Sequence, residues 1–141
     1  MTTVLAFGTF DLLHPGHLSY LKQALEHGDK LVVIVATDSN VEKIKKKPPI
    51  NDQEHRKELV KALEIVDDAF IGEEDDMIKS VEKVNPDVVC LGYDQQPVDI
   101  ELQKAFDKKG IKAKIFRAKP FNEEQFKSSK IKKKVFENHN K

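Results

Sequence analysis

Short apolar runs recur along the chain at residues 4–7, 31–36, 69–71, 88–91 and 111–116, with segments of helical length between them. A run such as LVVIVA is apolar on both faces, as a strand buried inside a parallel sheet requires. The intervening segments carry apolar residues at helical spacing. Residues 15–27 keep Leu18, Leu21 and Leu25 on one stripe. Residues 51–66 begin with Asn51 and Glu54 at capping-box spacing and place Leu59, Val60 and Leu63 on an inner face. Residues 74–84 and 98–108 are two further helices, stopped by Asn85-Pro86 and by Gly110. A last helix starts near Ser128 or Ser129. Strands alternating with helices over the whole length predict one α/β domain, residues 1–141, with a five-stranded parallel sheet covered by helices on both faces.

Composition narrows the class. Acidic and basic residues balance at 24 each, so no net field draws the chain to nucleic acid. The basic stretch from Lys127 to Lys134 sits on an expected helix with little aromatic interleaving, and it does not change that reading. The single cysteine, Cys90, lies within an apolar strand, which argues for packing and leaves no disulfide framework. No secretory signal pattern or membrane-spanning apolar run is present, so the expectation is a soluble cytoplasmic protein without membrane contact.

In open α/β sheets, ligands gather outside the carboxyl ends of the strands. The stretch GTFDLLHPGH leaves the carboxyl end of the first strand. Gly8 permits close backbone approach, and Pro15 suits the first turn of a helix, where its missing N–H is no loss. His14 and His17 then lie three residues apart around that helix start. Free N–H groups and two imidazoles converging on one spot predict an anion site with a positive field. The stretch matches neither GxxxxGK[ST] nor GxGxxG, and HPGH lacks the spacing of a zinc-binding HExxH helix. No metal site with protein ligands alone is expected.

GTFDLLHPGH resembles the signature of the HxGH nucleotidyltransferase superfamily, the cytidylyltransferase-like enzymes with a Rossmann-like domain. The resemblance covers nearly the whole chain, in order: the lysine-rich Lys45-Lys46-Lys47-Pro48-Pro49-Ile50, Arg56 within DQEHRKELVKAL, VDDAFIG, LGYDQ and SSKI. LGYDQ and the short Ser-Ser motif are most similar to archaeal FAD synthases, which transfer AMP from ATP to FMN. The glycerol-3-phosphate cytidylyltransferases are the neighbouring group. A non-catalytic nucleotide-binding module is the reading from another class.

The resemblance implies roles residue by residue. His14 and His17 would meet the nucleotide phosphates, with His17 stabilising charge on the α-phosphate; either protonation state is open at an ordinary pKa of about 6.5. Gly8, Thr9 and Phe10 would supply backbone contacts beside the phosphates. Asp11 would face the acceptor or a divalent ion, or cap a turn. Lys46 and Arg56 would reach phosphate, although Asp52 is spaced for a simple surface pair with Arg56. Gly92, Tyr93 and Asp94 would meet base and ribose, with Tyr93 either stacked or part of the core. Ser128 and Ser129 would offer donors at a helix start. Magnesium would arrive with ATP, and relatives suggest a homodimer. The segment NEEQFKSSKI departs from the threonine-rich motif of many relatives, which leaves open whether Arg117 or Lys127 covers the β- and γ-phosphates. The cysteines that some archaeal relatives carry near that segment are absent, so no redox sensitivity is carried over.

Overall fold

A computed structural model describes residues 1–73, 76–95 and 99–120. The element order is β1 (Thr3–Gly8), α1 (Pro15–Leu25), β2 (Lys30–Val35), α2 (Asp38–Lys45), α3 (Gln53–Lys61), β3 (Asp68–Ile71), α4 (Met77–Val84), β4 (Val88–Leu91), α5 (Asp99–Lys109) and β5 (Lys114–Arg117). All five strands pair in parallel in the order β3-β2-β1-β4-β5. The expected parallel sheet is therefore present.

Alternation along the strands divides the core. Val4 and Ala6 of β1, with Leu31, Val33 and Val35 of β2, face Leu21 and Ala24 of α1 and Val60 of α3. Leu5, Phe7, Val32 and Ile34 point the other way, toward Val81 of α4 and Leu102 and Phe106 of α5. Removing such a side chain from water is worth about 1.5–3 kcal/mol. The edge strands β3 and β5 are the exceptions to two-sided burial, with Phe70 46% and Phe116 38% exposed.

Helix boundaries follow local chemistry. Pro15 opens α1, and Asn85 and Gly110 adopt positive φ angles of 52° and 72° where α4 and α5 end. Three expectations are corrected. Asp52, not Asn51, caps α3 by accepting from the His55 N–H at 2.8 Å, because Asn51 is engaged elsewhere. α3 also stops at Lys61 rather than at residue 66, and Leu59 is 41% exposed while Val60 is buried. Finally, α2 forms where no helix was read; Thr37 caps it through the Asn40 N–H, and Val41 is its one buried residue. The expected helix beginning near Ser128 lies outside the described residues. No described helix is long and apolar enough to cross a membrane.

Candidate active site

The strand order places the topological switch between β1 and β4, since β1 leads outward to β2 and β3 while β4 returns to its other side. The loop after β1 is shaped by one close contact. A Cβ on Gly8 would lie 2.6 Å from the Phe10 ring, so glycine is needed for that ring to fold back. Phe10 has a φ of 52°, and its ring is buried. It meets the His17 ring edge-on at 5.3 Å. Phe10 thus seats His17 as well as contributing backbone to the loop.

The two histidines cap the helix reciprocally. His14 is the N-cap of α1, and its Nδ1 accepts from the Gly16 N–H at 3.1 Å. The His17 Nδ1 accepts from the His14 N–H at 3.3 Å. The imidazoles stack with centroids 3.9 Å apart. A nitrogen that accepts cannot carry the proton, so both rings are neutral with the proton on Nε2. Both Nε2–H groups are thereby available as donors to an anion at the helix start.

Electrostatics agree with this assignment. Burial pushes the His17 imidazole down to about 3, helped by neighbouring His14 and by the Lys45 ammonium. Burial also lowers His14. Positive potential at this spot therefore comes from the helix start and from Lys45, not from imidazolium charge.

Asp11 caps a turn, one of the two roles the sequence left open for it, and Arg56 is held by loop backbone and Asp38. Asp11 is 1% exposed, and its carboxylate accepts from the Ile50 N–H and the Asn51 N–H, each at 2.8 Å. Asn51 Nδ2 donates back to the Asp11 carbonyl at 2.6 Å. Arg56 is fully buried rather than paired with Asp52 on the surface. Its Nε donates to the Asn51 carbonyl at 2.9 Å, and its two terminal nitrogens donate to the Thr9 carbonyl and to Asp38 Oδ1, each at 2.8 Å. Lys46 is exposed and ends α2 with a φ of 64°. The lysine whose field reaches His17 is its neighbour, Lys45.

On the other side of the switch, side chains replace strand pairing. Tyr20 accepts from the Phe7 N–H at 3.0 Å and donates to the Cys90 carbonyl at 2.6 Å. Gln95 donates to the Phe7 carbonyl and accepts from the Gly92 N–H, each at 2.7 Å. Arg117 donates to the carbonyls of Gly92 and Gln95 at 2.6 and 3.0 Å, and pairs with Asp99 at 2.6 Å. Gly92, Tyr93 and Asp94 form the turn these groups hold, with Tyr93 half-buried and Asp94 exposed. Cys90 is buried, its thiol pushed up to about 11 by burial, which fits a packing role. Ser128 and Ser129 lie outside the described residues.

Sequence reasoning did not single out Tyr20 or Asp38, and it read Asn51 only as a helix cap. Tyr20 looks like one more apolar position of α1, and its partner Cys90 lies 70 residues away. Gln95 was readable only as a letter of LGYDQ.

Comparisons with known proteins agree with this geometry. Residues 5–134 match the family model described as cytidylyltransferase-like. The chain is similar to a FAD synthase of Methanohalophilus mahii, 45% identical over 97% of this chain and 96% of that one. A FAD synthase of Methanothermus fervidus is 48% identical over 93% and 92% of the two chains. Among solved structures, a protein of Thermoplasma volcanium described as a lipopolysaccharide core biosynthesis protein superposes with a TM-score of 0.83 and 45% identity, covering 86% of this chain and 99% of that one. With the paired histidines at the start of α1, the expected five-stranded parallel sheet and a match across most of its length, the chain belongs to the cytidylyltransferase-like family.

Proposed function

We propose that this nucleotidyltransferase transfers AMP from ATP to FMN, giving FAD and pyrophosphate. The observation that carries the chemistry is the stacked pair His14 and His17, each presenting Nε2–H at the start of α1. The choice of FMN follows the relatives named FAD synthase, which match at 42–49% identity.

A phosphomonoester is mostly a dianion at neutral pH, its second pKa being about 6, so the acceptor needs no general base. An oxygen of the FMN phosphate attacks the α-phosphorus of ATP. The bond from that phosphorus to the oxygen bridging the β-phosphate breaks, and pyrophosphate leaves with the electron pair. The work of the protein is alignment of two anions and stabilisation of developing charge. His17 donates to the α-phosphate, and His14 and the N–H groups of α1 donate beside it. Lys45, Lys46 and Lys47 offset the triphosphate charge. Gly92, Tyr93 and Asp94 face base and ribose, and Ser128 and Ser129 add donors.

A divalent cation, magnesium in this proposal, is carried by phosphate oxygens and water; when bound it neutralises charge on the departing pyrophosphate. Among the described residues, no group of three or more His, Cys, Asp or Glu is placed to hold a metal.

The test is pyrophosphate release by purified protein with magnesium, crossing ATP and CTP against FMN and glycerol 3-phosphate. Release with ATP and FMN, with FAD appearing, is expected. Release only with CTP and glycerol 3-phosphate would keep the chemistry and replace the substrates. Nucleotide binding without release in any combination would favour a binding module.

A further inference from the structure

Arg56 joins three parts of the chain that are distant in sequence. The segment from residue 38 to residue 51 holds α2 and the lysine-rich loop, with Lys43, Lys45, Lys46 and Lys47. Arg56 bonds one end of it at Asp38 Oδ1 and the other end at the Asn51 carbonyl. Its third partner is the Thr9 carbonyl, in the histidine loop. Asp11 repeats the connection: its carboxylate receives the N–H groups of Ile50 and Asn51, and its carbonyl receives Asn51 Nδ2. Gln53 adds a further tie, its Oε1 accepting from the Asp38 N–H at 2.9 Å.

We propose that Arg56, Asp11, Asn51 and Asp38 form a clasp that sets the lysine segment against the histidine loop, and that Arg56 is a positioning residue rather than a phosphate ligand. Arg56 is fully buried, with its planar fork directed at two carbonyls and a carboxylate. To meet a phosphate it would give up bonds that hold both sides of the site together. A guanidinium suits this task because its donors lie at fixed angles along separate directions; an ammonium offers the charge without the fork.

The proposal rests on the nucleotidyl-transfer reading, and a mutant cycle separates the two. Turnover of ATP and FMN and the KM for ATP are measured for wild type, Lys45→Ala, Arg56→Lys and the double variant. Lys45→Ala alone is expected to lower kcat/KM about tenfold. Arg56→Lys keeps the charge, yet it is expected to lower kcat/KM at least about tenfold and raise the KM for ATP. In that background Lys45→Ala should cost less than about twofold, because the lysine is already displaced.

Independent effects that multiply would overturn the proposal, as would Arg56→Lys with near wild-type kcat/KM. A role limited to general stability would lower the melting temperature and leave the Lys45 coupling absent, which also contradicts it. If Arg56→Lys does not fold, Asp38→Ala decides in the same cycle, since Asp38 is half-exposed and its loss frees one end of the segment. If wild type forms no FAD, the acceptor assignment fails, and the same coupling is read from ATP affinity by calorimetry.

Discussion

The two ends of the sheet are tied by different means. At the amino end one device repeats: an exposed aspartate immediately before a strand receives an N–H from the start of a neighbouring strand. Asp29 takes the Thr2 N–H at 2.9 Å, Asp87 the Thr3 N–H at 2.8 Å and Asp67 the Leu31 N–H at 2.7 Å. At the carboxyl end no device repeats. Tyr20, Gln95, Arg117, Arg56 and Asp11 each make a different set of bonds, most of them to backbone groups of loops. A uniform device suits an end that only has to close the sheet. Individual devices suit an end where each loop must be held in a particular place to meet a ligand.

Substitutions at the two ends should therefore separate activity from stability. The largest effect is expected for His17→Ala, with turnover reduced roughly a hundredfold or more, on the scale of losing a charge-stabilising donor. ATP affinity should fall much less, as titration calorimetry would show; unchanged turnover would break the comparison.

Tyr20→Phe comes next. It removes one hydroxyl that serves both the Phe7 N–H and the Cys90 carbonyl, and burial raises that hydroxyl's pKa, keeping it protonated. Denaturant melts should show a loss of about 1–3 kcal/mol, the usual range for leaving buried polar groups unsatisfied. Turnover should fall with it, because the strand ends that Tyr20 bridges carry both ligand loops.

Asp87→Ala at the opposite end is expected to cost about 0.5–1 kcal/mol, with kcat unchanged per folded molecule. A selective loss of kcat in Asp87→Ala would show that the amino end is not merely structural.

A separate effect is on acid stability. His17 binds its proton more weakly folded, at about 3, than unfolded, at about 6.5. Its contribution is fully present above pH 6.5 and is lost as pH falls from there toward 3. Thermal melts at pH 7 and pH 4.5 should differ less for His17→Asn than for wild type. An identical acid shift in both would contradict the assigned burial.

How much of this was legible in the sequence depends on how local each feature is. The strand sequence and the helix stops at Asn85 and Gly110 rest on neighbouring residues, and they were readable. So was the helix start at Pro15, because HPGH carries its own cap. α2 was not readable, since only Val41 of its residues is buried and no apolar stripe marks it. The end of α3 was misread because Leu63 and Ile65 pack against the core from beyond the helix, extending an apolar pattern past the last turn. Arg56 shows the limit for the site. Sequence spacing offered Asp52 as its partner, whereas the fold brings Asp38, Thr9 and Asn51 to it. Such partners are set by tertiary approach, which no spacing rule encodes.

The most direct test of the site is the protonation and tautomer of the two histidines, read by long-range proton–nitrogen NMR across a pH titration. The expected spectra show unprotonated Nδ1 and protonated Nε2 on both rings at neutral pH, with His17 resisting protonation until pH approaches about 3. A proton on Nδ1 of either ring, or an imidazolium at pH 7, would contradict a neutral pair of Nε2–H donors at the start of α1.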